Sequence, residues 1–330
     1  MRLSVVVDNF NYARYLREAL DSVLPQLAPD DELIVVDDGS TDASPEILAA
    51  YARLPQVTVL QQANQGQLAA LCNGLEAARG DLCLLLDSDD YFLPGYLQRL
   101  RALAGAWPDI ELFFCAAQVG GESSASVRGI RRMLADMALP EGPTGTSRWS
   151  TVSGGEYVGA PTSGLALRRS LARRLLAVRE NLPDQMPVST RIARWLGIPR
   201  HSHTAARLSG DGIIVRASSV AGCRKYHSAT PGFFYRIHRS NAFASIGRPG
   251  RLYLRWQRSR QIVRLARTAL GLQRRPELAE VVAEMGQRSR PLRLRRRLTM
   301  VRNYGRAIVM ARGSLLGKAG ALLRALRCAL

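Results

Sequence analysis

Residues 3–24 read LSVVVDNFNYARYLREALDSVL, and this stretch predicts a strand followed by a helix. The run LSVVV has the unbroken apolar character of a strand that is buried on both faces. After the polar turn DNFNY, apolar residues recur at the spacing i, i+3, i+4, i+7 and i+8, which forms one stripe on an amphipathic helix. The members of this stripe are Leu16, Ala19, Leu20, Val23 and Leu24.

Strands and helices continue to alternate after this first pair. Three apolar runs predict further strands, namely ELIVV at 32–36, VTVL at 57–60 and LCLLL at 82–86. One helix is predicted at SPEILAAY, because Ser44 suits the N-cap and Pro45 the first helical position, and another in GQLAALCNGLEAARG. The alternation predicts an α/β fold with a doubly wound, largely parallel sheet and helices on both faces.

The second half of the chain is less regular. Strands are predicted in ELFFC, SGLALRR and GFFYRIH, and helices in SLARRLLAVRE and DGIIVRASSVAG. Residues 118–163 are rich in Gly, Ser, Thr and Pro, and only a short helix near 130–138 is predicted there. Long irregular segments of this kind often serve as lids or binding loops.

The charge of the chain is concentrated at its C-terminal end. The protein has 330 residues and a net charge of +19. Residues 248–330 hold 21 basic residues against three acidic ones, so they carry +18 of that charge. We therefore predict a nearly neutral body, residues 1–244, followed by a basic, Arg-rich helical tail, residues 245–330.

Cysteine usage and hydropathy predict a cytoplasmic protein. The five cysteines are scattered without the spacing of a metal site, which favours free thiols in a reducing compartment. The N-terminus has a short apolar run followed by a charge, which predicts a strand rather than a signal peptide. No uncharged apolar run approaches the ~18 residues of a membrane-spanning helix.

An acidic cluster ends the fourth predicted strand, in the stretch LLLDSDDYFLP at 84–94. Asp87, Asp89 and Asp90 are so close that each raises its neighbour's pKa unless a cation lies among them. DNFN and DDGSTD follow two other predicted strands, so all three segments are expected at the carboxyl edge of the sheet, where α/β proteins bind ligands. This favours a hard divalent cation, Mg²⁺ or Mn²⁺, held by carboxylates and completed by substrate phosphates.

The acidic cluster has other interpretations. A solvated acidic turn is the simplest of them, and DDGSTD alone is equally compatible with a tight turn and a helix cap. A calcium loop is disfavoured because Phe92 and Gln98 stand where such loops need Gly and Glu. A phosphatase of the haloacid-dehalogenase type also places D-x-D after a strand. However, Tyr91 replaces its usual Thr or Val, and the second acidic strand end, residues 37–38, lies upstream.

Five blocks of the sequence resemble family 2 glycosyltransferases of the GT-A type. In order, they are SVVVDNFNYARYLREALDSVL, ELIVVDDGSTDAS, NQGQLAALCNGLEAARGDLCLLLDSDDYFLPGYL, PTSGLALRRS and GFFYRIHRSNAF. The resemblance runs without a large gap from Leu3 to Leu97, weakens through the middle segment and ends near Ala244. It implies a nucleotide-diphosphate sugar as donor, a divalent metal as cofactor and inversion at the anomeric carbon.

The resemblance also implies roles for single residues. Asp38 would contact the nucleobase, with Asp8 and Asn9 in the same pocket. Asp87 and Asp89 match the family's D-x-D motif. Asp89 is the expected direct metal ligand, and Asp87 would lie nearer the ribose or the metal.

The general base is expected in front of a helix that follows the PTSG strand. Asp211, in LSGDGIIVRA, is preferred over Asp184, in NLPDQM, because it opens a helical run that leads to FFYRIHRSN. Asp184 lies among prolines and fits a turn. Two other features have two interpretations each. His238 either approaches the diphosphate or metal or is a structural histidine at a strand end, and residues 161–164, PTSG, either face a substrate or form a plain turn.

The expected acceptor is a saccharide or a lipid-linked sugar. The Q-x-x-R-W motif of polymerising synthases is absent, since ARWLG contains Arg194 and Trp195 without the required Gln. This predicts single addition of a sugar in cell-surface polysaccharide or glycolipid assembly. A non-catalytic protein that binds sugar nucleotides or other partners is the remaining alternative.

The tail mixes arginine with apolar residues at helical spacing. An anionic membrane, nucleic acid and the protein's own body are its three candidate partners. The membrane is favoured because each basic residue near anionic lipid contributes ~1 kcal/mol, while an apolar helix face inserts. No recognised nucleic-acid motif is present, so no specific nucleic acid is expected. The overall expectation is a peripheral protein at the cytoplasmic face of a membrane.

Overall fold

The computed structural model describes residues 1–180, 210–238 and 248–327 of the chain. The strands are β1 (Leu3–Asn9), β2 (Glu32–Asp37), β3 (Val57–Gln61), β4 (Leu82–Asp87), β5 (Tyr91–Phe92), β6 (Leu112–Gly121), β7 (Gly142–Gly145), β8 (Leu165–Arg168) and β9 (Lys225–Ile237). The helices are α1 (Ala13–Val23), α2 (Ser44–Tyr51), α3 (Gln67–Ala77), α4 (Tyr96–Ala106), α5 (Ser124–Met137), α6 (Arg148–Gly154), α7 (Arg169–Glu180), α8 (Gly210–Val220), α9 (Arg248–Ala269), α10 (Leu278–Gln287), α11 (Leu294–Met310) and α12 (Leu315–Arg327).

The described strands form one sheet in the order β3-β2-β1-β4-β8-β6-β9-β5, with β7 also paired to β9. The pairs along β3-β2-β1-β4 and the pair β6-β9 are parallel, whereas β8, β5 and β7 run antiparallel to their neighbours. The predicted largely parallel sheet is confirmed. Because β2, β1 and β4 are parallel neighbours, their carboxyl ends bring the three polar segments to one edge.

Two apolar cores lie on opposite faces of the sheet. Along β1, Val5 and Val7 belong to the core that contains α1 residues such as Leu16 and Leu20. Val6, between them, belongs to the other core, which contains residues of α3, α7 and α8. This alternation follows from the two-residue period of a strand, and it confirms helices on both faces.

The segment at 118–163 is more ordered than the sequence predicts. β6 continues to Gly121, α5 is capped by the side chain of Ser123, and β7 and α6 follow. A Cβ on Gly120 would lie 2.4 Å from the ring of Phe234 in the adjacent β9. The expectation of a long irregular loop is wrong. Gly120 does not end β6, because the absence of a side chain there leaves room for the ring of Phe234 on the paired strand.

The tail helices pack against the body. Val263 of α9 belongs to one of the two sheet cores, and α10, α11 and α12 share an apolar cluster with Trp149 of α6. The protein's own body is therefore one partner of the tail. The predicted boundary between residues 244 and 245 falls outside the described residues, so that division stays a prediction. In the described parts of the chain, no helix is both long and apolar enough to cross a membrane.

A buried polar cluster reinforces this packing. The carboxylate of Glu284 on α10 accepts hydrogen bonds from the backbone N–H of Trp149 at 3.0 Å and from the hydroxyls of Thr146 and Tyr304, both at 2.9 Å. Burial raises the pKa of Glu284, and these three donors oppose that rise. Removing one partner from such a buried cluster lowers the free energy of unfolding, because the remaining polar groups cannot form hydrogen bonds with water. The body and the tail therefore stabilise each other.

The thiols behave as the sequence predicts. The four cysteines within the described ranges, Cys72, Cys83, Cys115 and Cys223, are free and buried. Burial raises the pKa of each thiol, to between about 11 and about 12. They are packing residues without thiolate reactivity at neutral pH.

Candidate active site

The acidic cluster lies where β1 and β4 end side by side. The parallel register pairs Asp8 with Asp87 at this edge. The carboxylate oxygens of Asp87, Asp89 and Asp90 lie within 4.8 Å of one another, with Asp89 and Asp90 buried. The structure thus brings together the residues that the sequence places in one acidic segment, and it adds Asp8 from a distant part of the chain.

The electrostatics of the cluster fit a bound divalent cation. Burial raises the pKa of Asp87, and the neighbouring Asp8, Asp89 and Asp90 raise it further. Burial also raises the pKa of Asp8, to about 7, and one of its carboxylate oxygens, Oδ1, is buried without a hydrogen-bond partner in the described structure. A set of crowded carboxylates with an unsatisfied oxygen suits Mg²⁺ or Mn²⁺, which take oxygen ligands.

Both carboxylate oxygens of Asp90 have protein partners. Oδ2 accepts a 2.6 Å hydrogen bond from the hydroxyl of Ser163, and Oδ1 accepts a 2.8 Å bond from the backbone N–H of Arg236. The same Ser163 hydroxyl accepts a 3.1 Å bond from the backbone N–H of Asp87. These two hydrogen bonds fix the position of Asp90. Ser163 of the PTSG segment contacts both Asp87 and Asp90 and so stabilises the cluster. Asp87 and Asp89, the two aspartates of the D-x-D motif, remain the predicted metal ligands.

Residues at the end of β9 fix the position of Asp89. Nε2 of His238 lies 2.9 Å from Oδ2 of Asp89, and Nε of Arg236 donates to the Asp89 carbonyl at 2.8 Å. His238 is only 4% exposed, and its ring packs against the rings of Tyr12 and Tyr15, with centroids 5.4 and 4.9 Å away. The histidine contacts the predicted metal ligand, and its own contact with a metal or diphosphate stays a prediction.

The residues predicted for the nucleobase pocket organise the ends of β1 and β2. The carboxylate of Asp38 accepts hydrogen bonds from the side chain of Gln62 and from the backbone N–H groups of Gln65 and Gly66, at 2.6 to 2.8 Å. Asn9 donates to Asp37 at 2.8 Å. These bonds shape the loop at 62–66 at the edge of the site. Contact between Asp38 or Asn9 and a base stays a prediction.

Gln67 is a site residue that the sequence analysis does not single out. Its Nε2 donates to Oδ1 of Asp87 at 2.7 Å, and its Oε1 accepts from the backbone N–H of Gly210 at 2.9 Å. It therefore connects the D-x-D motif to the first residue of α8. Its presence in the block NQGQLAAL, which resembles the family, is the only signal for it in the sequence.

Asp211 lies in the first turn of α8, next to Gly210. Its Oδ2 is 2.9 Å from the hydroxyl of Tyr157. Gln67 bonds both Asp87 and the backbone N–H of Gly210, so the first turn of α8, which carries Asp211, lies beside the acidic cluster. The alternative base, Asp184, lies outside the described residues.

Comparison with protein families and curated proteins assigns the chain to a group of transferases. Residues 4–147 match the model of glycosyl transferase family 2. An uncharacterized glycosyltransferase of Nostoc sp. is 31% identical over 246 residues, which cover 73% of this chain and 66% of that protein. The glycosyltransferase EpsJ of Bacillus subtilis is 39% identical over 99 residues, which cover 30% of this chain and 29% of EpsJ. The chain therefore spans less than two thirds of these relatives.

Solved structures share the fold. The structure of S. aureus TarS 1–349 in complex with UDP-GlcNAc superposes with a TM-score of 0.55 at 17% identity, covering 100% of this chain and 82% of that one. The mannosyltransferase PcManGT of Pyrobaculum calidifontis, solved with GDP-Man and Mn²⁺, gives a TM-score of 0.50 at 17% identity, covering 99% and 80%. The predicted GT-A fold is confirmed. By their sequence match, residues 4–147 belong to glycosyltransferase family 2, and the chain shares the fold of the solved transferases.

Proposed function

We propose that this protein is a metal-dependent, inverting glycosyltransferase that moves one sugar from a nucleotide-diphosphate donor to a saccharide or lipid-linked acceptor. The observation that carries the proposal is the group of three carboxylates, Asp87, Asp89 and Asp90, at the ligand-binding edge of the sheet, connected through Gln67 to the start of the helix that carries Asp211. The complexes of TarS with UDP-GlcNAc and of PcManGT with GDP-Man and Mn²⁺ support this class of donor and cofactor.

The donor side of the site consists of residues on β1, β2 and β4. Asp87 and Asp89 would hold a divalent cation, which stabilises the negative charge of the leaving diphosphate when bound. His238 and Arg236 keep Asp89 in place. Asp38, with Asn9 and Asp8 beside it, would bind the nucleoside.

The acceptor side depends on Asp211. Its carboxylate would take the proton of the acceptor hydroxyl while the hydroxyl oxygen forms a bond to the anomeric carbon. The bond between that carbon and the diphosphate oxygen breaks on the opposite face, which inverts the configuration. The hydroxyl of Tyr157 restricts the orientation of Asp211.

Membership of family 2 leaves no support for the haloacid-dehalogenase alternative. A catalytically inactive binding protein is distinguished by experiment. We would add UDP, GDP and their sugar derivatives to the protein with and without Mn²⁺ and measure its thermal stability. A bound ligand at a hundred times its Kd adds ~2.7 kcal/mol to stability.

Asp89→Asn is the decisive variant for the donor site. We expect it to lose the Mn²⁺-dependent stabilisation by nucleotide while it unfolds at the wild-type temperature without ligand. Asp30→Asn, at an exposed position away from the carboxyl ends of the strands, is the matched control. If Asp89→Asn binds nucleotide as tightly as the control, the metal assignment is wrong. If donor binds but no acceptor preparation yields sugar transfer, the protein is a binding protein.

A further inference from the structure

The exposed apolar surface of this protein is concentrated in its C-terminal helices. Twelve large apolar side chains are exposed in the described structure, and nine of them lie between residues 292 and 326. Six of these nine define what we call the leucine face, namely Leu294, Leu298, Leu315, Leu316, Leu323 and Leu326. So many exposed apolar side chains in one part of the chain indicate a contact with another molecule.

The helix α12 buries small side chains and exposes most of its leucines. It packs through small residues, since Ala321 and Ala325 are buried at 4% and 1% exposure. Four of its five leucines are exposed, with Leu315 and Leu316 both at 86%, whereas Leu322 packs partly against the apolar cluster. A surface helix normally turns its large apolar residues towards the core. The four exposed leucines of α12 therefore contribute little to the packing of the chain itself.

The helix α11 has a related outer face. Tyr304 and Ile308 are fully buried on its inner side. On the other side, Leu294, Leu298 and Arg302 follow at four-residue intervals and are exposed. Residues spaced in this way lie above one another on one face of a helix. Both helices thus present leucine together with arginine.

The charge around the leucine face is of one sign. Residues 285–330 contain no aspartate or glutamate, whereas residues 288–327 contain twelve lysines and arginines. A partner must therefore offer both negative charge and an apolar interior. A second copy of the chain would bring two strongly positive surfaces together. Nucleic acid would use the charge but not the leucines, and Tyr304, the aromatic residue of α11 and α12, is buried and cannot stack on bases.

We propose that the leucine face of α11 and α12, with its surrounding arginines, docks onto the surface of an anionic phospholipid bilayer. The leucines enter the boundary between headgroups and acyl chains, and the arginines contact lipid phosphates. The inner faces of the same helices stay packed in the apolar cluster that includes Trp149, so docking requires no unfolding of the tail. The surface would suit the proposed lipid-linked acceptor, but vesicle binding needs neither donor nor metal, so the two proposals can fail separately.

Co-sedimentation of the full-length protein with vesicles tests this inference. Neutral phosphatidylcholine vesicles are compared with vesicles that also contain phosphatidylglycerol. We expect binding to the anionic vesicles only, weakened by salt because screening acts over ~8 Å at physiological ionic strength. Failure of the wild-type protein to pellet with anionic vesicles would overturn the proposal.

Two pairs of variants separate the leucine face from a general effect of net charge. Replacing Arg302, Arg306 and Arg324 by Gln is expected to weaken partitioning about a hundredfold, because each basic residue contributes ~1 kcal/mol. Its control replaces three exposed arginines of the body, Arg53, Arg128 and Arg132, and thus removes the same charge. Equal losses in the two triple variants would mean that net charge, and not this face, binds the vesicles.

The second pair tests the apolar contribution. Leu316→Gln is expected to weaken partitioning roughly tenfold, since burial of a leucine is worth about 1.5–3 kcal/mol. Leu54→Gln, at another exposed leucine, is expected to bind as wild type does. If Leu316→Gln has no effect and duplex DNA displaces the protein from vesicles, the surface binds polyanions and the membrane proposal is wrong.

Discussion

The side-chain amide of Gln67 donates a 2.7 Å hydrogen bond to the carboxylate of Asp87. The oxygen of the same amide accepts a bond from the backbone N–H of Gly210, which begins α8. One side chain therefore connects a predicted metal ligand on β4 to the helix that carries the predicted base. A shift of either element would be transmitted to the other through this amide.

Gln67 is predicted to be a positioning residue. Gln67→Leu should reduce affinity for Mn²⁺ and nucleotide roughly tenfold and lower kcat, because a hydrogen bond to a charged group is worth about 1.5–3 kcal/mol. Gln56→Leu, which removes a half-buried amide at the amino end of β3, away from the carboxyl ends of the strands, should lower stability without changing Mn²⁺ affinity. Titration with Mn²⁺ and a transfer assay measure both. Equal Mn²⁺ affinity in the two variants would show that Gln67 has only a structural role.

Asp211 is predicted to be the general base. Asp211→Asn should bind the donor as wild type does and lose transfer by about 10²- to 10⁴-fold, the usual contribution of a general base. Asp184→Asn should be nearly silent. Rates of sugar transfer, together with nucleotide affinity, distinguish the two carboxylates. If Asp211→Asn transfers sugar at close to the wild-type rate and Asp184→Asn transfers it slowly, the base has been misassigned.

The tail is predicted to stabilise the body through Glu284. Glu284→Ala leaves the donors of Trp149, Thr146 and Tyr304 without their acceptor, so we expect a loss of about 3 kcal/mol or more in the free energy of unfolding. Glu76→Ala, at an exposed site, should change stability little. Denaturant unfolding measures both. Removal of residues 245–330 should destabilise more strongly, and a truncated chain as stable as the full one would contradict this interdependence.

Stability at alkaline pH is predicted to depend on Lys225. This fully buried lysine donates to the carbonyls of Val158 and Val215 and to the hydroxyl of Ser219. Burial lowers its pKa from 10.5 to about 8. Between about pH 8 and 10.5 the unfolded chain holds a proton that the folded chain has lost, so stability rises with pH in this window.

Lys225→Met provides the measurement. From pH 8 to 10.5, the unfolding free energy of wild type should rise by roughly 3 kcal/mol relative to that of Lys225→Met. The figure follows from about 1.36 kcal/mol for each unit of pKa shift. Other groups that titrate in this range are common to both proteins and cancel in the difference. A difference that does not change with pH would mean that Lys225 titrates normally.

The sequence alone predicts the α/β architecture, and the reason is local. Strands such as LSVVV and LCLLL and the stripe of α1 are encoded by the period of their apolar residues. Once the strands are parallel, the segments after β1, β2 and β4 must meet at one edge. Asp8, Asp38 and Asp87 could therefore be assigned to a common edge before any coordinates were known.

Other features were decided by the tertiary structure, because they depend on partners far apart in the chain. Ser163 reaches Asp90 across 73 residues, and Gln67 reaches Gly210 across 143. No period or spacing in the sequence records such contacts. The same holds for the tail, where a basic amphipathic pattern is compatible with a membrane or with the body. Only the packing of Glu284 against Trp149 shows that the inner face is covered by the protein itself, while the leucines are left outside.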